Sequence, residues 1–253
     1  MHDERQLKRH LPLEGTYNVR DVGGYLTADG RRTRWRRLLR ADSLHRLAPA
    51  SQAALVDYGV RTVVDLRFVN ELACEPNVFA SSTEVAYHHM DVIGDALQAE
   101  LDGLPPATGN LERILRIYTM LIDHRQRRLC EILSMLATPG ALPALIHCHG
   151  GKDRTGVVAA LALGLVGVPA ETIAEDYALS ARFLLRRSLD GQAPGFEAHH
   201  TSEQDYQREC CPPDVMLGTL RHLDECYGGP QAYLLEGGLS PEHVERLRNA
   251  LVE

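Results

Sequence analysis

Cys148 and Arg154, separated by five residues, lie in a loop joining a short apolar run to a long one. No other feature of the chain restricts its fold so tightly. Leu142–Ile146 reads as a buried strand, and Val157–Val166 reads as a helix packed against it. Between them runs His147-Cys148-His149-Gly150-Gly151-Lys152-Asp153-Arg154-Thr155-Gly156. A chain curling from a strand end into a helix start aims successive backbone N–H groups at one point, and the helix dipole adds positive potential there. Gly150 and Gly151 permit the backbone angles and close approach that such an anion cradle requires.

The residue types in the cradle suit one chemistry. The planar fork of Arg154 matches two phosphate oxygens. The same positive field favours the thiolate of Cys148, and Thr155 can donate its hydroxyl to that thiolate or to a phosphocysteine as it breaks down. This is nucleophilic catalysis with a covalent intermediate, and it needs neither metal nor organic cofactor. A metal site at His147-Cys148-His149 is disfavoured, because adjacent residues on a strand end point in opposite directions and no second Cys/His pair follows at zinc spacing. A nucleotide loop is disfavoured as well: Ile146 and His147 stand where its first glycine is required. Lys152 and His149 add positive charge at the mouth, which suits multiply charged substrates. An acid must protonate the leaving oxygen. Asp153 fits by position, although Arg154 beside it favours its ionised form. Asp91 and Asp95, on the loop after the strand Val85–Met90, avoid that neighbour.

Cys-x5-Arg followed by Thr is the signature of cysteine-dependent phosphatases. The form carried here, on His147, Cys148, Gly151, Lys152, Asp153, Arg154, Thr155 and Gly156, resembles the bacterial tyrosine phosphatases with dual protein and phosphoinositide activity. Four further segments resemble that family: Asn18-Val19-Arg20-Asp21-Val22-Gly23-Gly24, Leu38-Leu39-Arg40-Ala41, Asp65-Leu66-Arg67 and Glu175-Asp176-Tyr177-Ala178-Leu179-Ser180. The resemblance covers nearly the whole chain. It implies an α/β, tyrosine-phosphatase-like fold, with a mostly parallel sheet flanked by helices in one domain over residues 1–253 and a helical lid or insertion over 95–137. It further implies Cys148, Arg154 and Asp153 as catalytic residues, with Asp91 as the alternative acid. His149, Gly150, Gly151, Lys152 and Thr155 then bind substrate. Phosphotyrosine proteins are the first substrate expectation and phosphoinositides the second, with phosphate as product. A rhodanese-like sulfurtransferase and a non-catalytic phosphate-binding module are the alternatives. The Gly-Lys-Asp-Arg-Thr-Gly tail argues against the first, and retention of both cysteine and arginine argues against the second.

Charge and composition limit the partners. With 27 basic and 34 acidic residues the net charge is −7, so nucleic acid is not expected, and the basic character at the loop is local. Six irregularly spaced cysteines do not form a disulfide framework in 253 residues. The charged N-terminus lacks a signal-peptide core and no run is long enough to span a bilayer, so a cytoplasmic location is expected, with signal-peptide-independent secretion as the alternative.

Along the chain, residues 1–14 read as a polar lead-in, and Asn18 and Gly23 as turn formers. Arg20 either bridges locally or faces the phosphate. The run Arg31, Arg32, Arg34, Arg36 and Arg37 reads as a solvated hairpin face. Asp65 and Arg67 read as a pair holding a loop. Asn110 is expected to cap a helix reaching Leu136 with a kink near Asp123-His124, Ala170–Leu189 to form one helix with Asp176 orienting a loop residue, and residues 190–211 to be a flexible connection.

Overall fold

A computed structural model describes residues 9–105, 107–193, 197 and 199–253. Parts of the 1–14 lead-in and of the 190–211 connection lie outside them. Among the described residues five strands form one sheet: β1 (Arg20–Asp21), β2 (Leu38–Ala41), β3 (Thr62–Asp65), β4 (Ala86–His89) and β5 (Ala144–His147). Their order is β1-β2-β5-β3-β4, with only β1 antiparallel. Ala41, His147, Asp65 and His89 stand in register at the carboxyl edge. In open parallel sheets that edge is where ligands bind, and Cys148 leaves it at the centre.

Strand periodicity builds two apolar layers. Leu38, Val64, Ala144 and Ile146 face the larger core, and Leu39, Val63 and Leu145 face the smaller one. Helix α1 (Pro49–Tyr58) covers the smaller layer through Leu55 and ends at Gly59, whose φ of 115° lies in the left-handed region that glycine tolerates. Next come α2 (Val69–Cys74), α3 (Gly94–Asp102), α4 (Asn110–Leu136) and α5 (Asp153–Leu165). Val157–Leu163 of α5 are all buried, as the unbroken apolar run requires of a central helix. The chain closes with α6 (Ala170–Ala178), α7 (Ser180–Leu189), α8 (Glu203–Cys210), α9 (Pro213–Tyr227), α10 (Pro230–Glu236) and α11 (Pro241–Leu251). No helix among the described residues is long and apolar enough to cross a membrane.

Several local expectations need correction. The segment Ala170–Leu189 is two helices, because the buried guanidinium of Arg20 takes the Asp176 carbonyl at 2.8 Å, the acceptor a continuous helix would offer to Ser180. Asn110 is the first residue of α4 and Gly109 precedes it without a side-chain cap, whereas the break in α4 falls at Arg125, next to the expected Asp123-His124. Residues 203–210 form a helix rather than a flexible connection: the Ser202 hydroxyl accepts from the Asp205 N–H, and Tyr206 and Cys210 are buried. Within the lead-in, Arg9 is buried and donates to the carbonyls of Asp21 and Gly23.

Candidate active site

Residues 148–154 wrap from the end of β5 into α5, and the wall around them fixes every turn of the chain. The carbonyl of His147 accepts from the Leu66 N–H at 2.8 Å, and that of His149 from the Ser43 N–H at 3.0 Å. Asn18 Nδ2 donates to the Gly150 carbonyl at 3.0 Å. Arg40 donates to the carbonyls of Gly151 and Lys152 at 2.8 and 3.2 Å. In a trans peptide the carbonyl and the following N–H point in opposite directions. With five carbonyls bonded outward, the N–H groups of Cys148, Gly150, Gly151, Lys152 and Asp153 turn toward the centre that the loop encloses. Gly151 makes this possible. Its φ is +65°, and a Cβ there would lie 2.2 Å from the Ala41 carbonyl oxygen.

Asn18 is therefore a strut of the loop, not merely a turn former. Arg20 does not face the phosphate: it is wholly buried and bonds Asp176 and Ser180. Asp176 accepts from Arg20 at 3.2 Å, Arg40 at 2.7 Å and the Tyr25 hydroxyl at 2.8 Å. Burial works to raise its pKa, but the two guanidinium groups hold it well below the ordinary carboxylate range. Its expected role of orienting the loop is carried out through Arg40. Two arginines on one carboxylate leave positive charge directly behind the cradle.

This network sets an expected result. Asp176→Asn should destabilise the fold by about 3–5 kcal/mol, the usual effect of breaking a buried ion pair, as read from urea unfolding at neutral pH. A carboxyl whose folded pKa is depressed contributes stability that is present above its unfolded pKa of about 3.9 and lost as pH falls. The difference between wild type and variant should therefore shrink as pH drops below about 4.

Cys148 is 1% exposed at the base of the loop. Beneath it, buried His147 meets Asn77 at 2.8 Å and Asp65 at 3.3 Å. Asp65 also binds Arg67 at 2.8 Å, and Arg67 reaches the Ser43 hydroxyl and the Glu75 carbonyl. Burial works to raise the Asp65 pKa, but His147 and Arg67 hold it far below the ordinary range. Asp65 and Arg67 thus hold loops together.

Arg154 is gripped by Glu71 of α2 through two bonds, at 2.5 and 2.9 Å, and lies 5.1 Å over the Phe68 ring. Burial opposes its charge, yet the Glu71 pair and neighbouring Cys148 raise its pKa further above the ordinary value. Glu71 also accepts from the Phe68 N–H at 2.8 Å, so one carboxylate fixes both the helix start and the guanidinium. The Thr155 hydroxyl is buried and has no hydrogen-bond partner among the described residues, as befits a donor reserved for something held in the loop.

The remaining residues divide by environment. Lys152 is buried, 2.9 Å from Glu197 and 3.7 Å from Asp153, and these acids outweigh burial to hold its pKa well above the ordinary value. It is not at the mouth in solvent. His149 lies 3.3 Å from Arg187 and 3.8 Å from Glu75, and burial, followed by Arg187, lowers its pKa. Asp153 is 43% exposed, and the Tyr118 hydroxyl donates to it at 2.6 Å. A cavity of about 340 Å³ opens beside it, with Asp153, Arg154, Phe68, Ile93, Leu101 and Ile117 in its walls. Asp91 is not among the residues lining that cavity. Its carboxylate accepts from the N–H groups of Ile93 and Gly94 at 2.9 and 3.0 Å, and so closes the turn into α3. Asp95 falls in the first turn of α3.

A sheet-edge thiol inside an amide-lined loop, faced by an anchored arginine, defines a cysteine-dependent phosphohydrolase. Residues 11–253 match the model of the tyrosine phosphatase family, and the chain belongs to that family. It is 29% identical over 222 residues to a tyrosine-protein phosphatase of Nostoc commune, covering 83% of this chain and 72% of that one. It is likewise 29% identical to the triple specificity protein phosphatase PtpB of Mycobacterium tuberculosis, covering 96% and 99%. A putative tyrosine-protein phosphatase of Cupriavidus necator is 29% identical over 179 residues, covering 68% and 63%. The chain is thus a hydrolase of the protein tyrosine phosphatase type, with phosphorylated substrates and the fold expected of it.

Proposed function

We propose that Cys148 is the nucleophile and that the substrate is phosphotyrosine in proteins, with phosphoinositides as a second class. The mycobacterial relative is a triple specificity phosphatase, which supports a wider range here than phosphotyrosine alone. The observation that carries the aryl reading is the cavity beside Arg154, whose apolar walls from Phe68, Ile93, Leu101 and Ile117 suit a phenyl ring. Cys148 Sγ attacks phosphorus in line as the ester P–O bond breaks, and Asp153 gives its proton to the leaving oxygen. The Asp153 carboxylate then takes a proton from water, whose oxygen attacks phosphorus as the S–P bond breaks and phosphate leaves. The inward amides and Arg154 hold the equatorial oxygens through both steps. His149, Gly150, Gly151, Lys152 and Thr155 shape that cradle. Residues 1–253 act as one phosphatase domain, with α3 and α4, which together cover most of the 95–137 stretch, serving as the lid that walls the aryl cavity. Six unpaired thiols fit a reducing compartment, and we assign the cytoplasm.

The acid is tested with leaving groups of different basicity. Asp153→Asn should slow single-turnover release of phenol from phenyl phosphate by about 10²–10⁴-fold, the usual contribution of general acid catalysis. Release of the more acidic nitrophenol should fall much less. Asp91→Asn should leave this dependence intact. The assignment fails if Asp153→Asn keeps the wild-type ratio between the two substrates.

A further inference from the structure

The apolar face of α4 puts Ile114, Tyr118, Leu121 and Ile122 into the core. Three of these side chains are hydrocarbon. Tyr118 carries a hydroxyl into the same interior, and a buried phenol needs a partner. The residue is 1% exposed, and its hydroxyl donates to Asp153 Oδ1 at 2.6 Å. A phenol has one proton to give, so its contact with the Tyr177 hydroxyl at 3.0 Å is a bond accepted from Tyr177. Tyr177, on α6, is buried to the same degree, and its ring meets that of Tyr118 edge-on at 85°. Burial, and after it the charge of Asp153, raises both phenols well above their ordinary pKa, so both keep their protons. A chain of two hydroxyls therefore ends on one oxygen of the acid.

That arrangement bears on proton transfer. With Oδ1 taken by a donor, the proton to be transferred resides on Oδ2, and the carboxyl group cannot turn freely. As the proton leaves, negative charge grows on the carboxylate, and a donor already aimed at it lowers the cost. Lys152, 3.7 Å from Oδ2, and Arg154 act in the same sense. The thiols of Cys210 and Cys211 stand behind the acid, and Arg113 and Asp102 lie in the wall of the cavity it shares. Ile117 and Leu121 line that cavity from α4, so the surface for a substrate ring and the holder of the acid share one helix. We propose that Tyr118, backed by Tyr177, is a positioning residue that orients Asp153 and stabilises the carboxylate it becomes as an aryl leaving group departs. The inference rests on Asp153 being the acid, and deepens that reading by making α4 part of the acid's support as well as a wall. The same donor weakens the carboxylate as a base in the second step, so the benefit belongs to the first.

The test follows single-turnover release of phenol from phenyl phosphate and of nitrophenol from p-nitrophenyl phosphate by the full chain. The proteins compared are wild type, Tyr118→Phe, Tyr177→Phe, Asp153→Asn and Tyr118→Phe combined with Asp153→Asn. Tyr118→Phe should slow phenol release by about tenfold, the effect of losing one hydrogen bond to a charged group, and nitrophenol release much less. Its alkaline limb for phenol release should move to higher pH by about one unit, because the donor that favours the ionised form is gone. Tyr177→Phe should repeat the pattern at about threefold, since it removes only the bond behind the donor. On the Asp153→Asn background, Tyr118→Phe should bring no further loss. A tyrosine that only fills the core would slow both substrates equally and leave the limb in place. Either result overturns the proposal, as does a further loss on the Asp153→Asn background. Should Tyr118→Phe fail to fold, Tyr177→Phe decides by the same criteria. An Asp153→Asn variant that keeps the wild-type ratio between the two substrates refutes the acid itself, and the positioning role with it.

Discussion

Cys148→Ser should reduce phosphate release from p-nitrophenyl phosphate by roughly 10³–10⁶-fold, the range seen when a nucleophile is removed from an assembled site. The argument is one of protonation. A thiolate is ready to attack, whereas a serine hydroxyl needs a base at its side. Neither flanking imidazole serves: His149 Nε2 lies against Arg187 and Glu75, and His147 is turned away beneath the loop. Its Nε2 meets Asn77 and Asp65, and its Nδ1 lies 3.2 Å from the Cys148 carbonyl oxygen. Serine is smaller than cysteine and leaves the outward carbonyl bonds untouched. The variant should therefore keep the wild-type melting temperature and still bind phosphate. Wild-type turnover should survive added chelator. Retention of more than about a tenth of the activity by Cys148→Ser would move the nucleophile elsewhere.

The second large effect is expected at Arg154. Arg154→Lys keeps the charge but loses the planar fork that meets Glu71 with two bonds and would meet phosphate with two more. Removing a single donor from a preorganised anion hole lowers kcat by about 10²–10³-fold, and at least that loss is expected here. Most of it should appear in kcat, because the equatorial oxygens press hardest on the fork in the transition state. Glu71→Gln should lie between this variant and wild type, since the guanidinium stays but its grip loosens. Equal kcat values for Arg154→Lys and wild type would contradict the assignment.

These expectations differ in how far the sequence foretold them. The loop was legible because its information is local: a strand, a cysteine, two glycines, an arginine and a helix within twenty-five residues, each with a physical task. Gly150 and Gly151 were named together because a cradle needs backbone free of Cβ; the structure places that demand on Gly151, while Gly150 has room for a Cβ. The mostly parallel sheet was expected from the family resemblance, but the strand order β1-β2-β5-β3-β4 was not legible. What supports the loop was not legible. Asn18, Arg40 and Glu71 reach it across 132, 111 and 83 residues, and nothing in their local sequence marks the partner they find. The break between α6 and α7 has the same origin, since Arg20 reaches it from β1. Lys152 was expected to add charge at the mouth of the loop; its burial was not legible because its partner, Glu197, belongs to a polar stretch with no helical or strand periodicity. Patterns reveal what a segment is. Long-range ion pairs are settled only when the fold brings charges together.

The central claim is that Cys148 is the nucleophile, placed at the focus of inward amides and an anchored guanidinium. Iodoacetamide labelling of the full chain at about pH 6, below the ordinary cysteine pKa of about 8.5, tests this most directly, with peptide mass spectrometry following all six cysteines. Cys74 and Cys226 are exposed and Cys148 is buried, so accessibility alone would label Cys148 last. The account predicts that Cys148 reacts first and that phosphate or vanadate protects it alone. Labelling of Cys148 no faster than Cys74 and Cys226, with no effect of added phosphate, would contradict it.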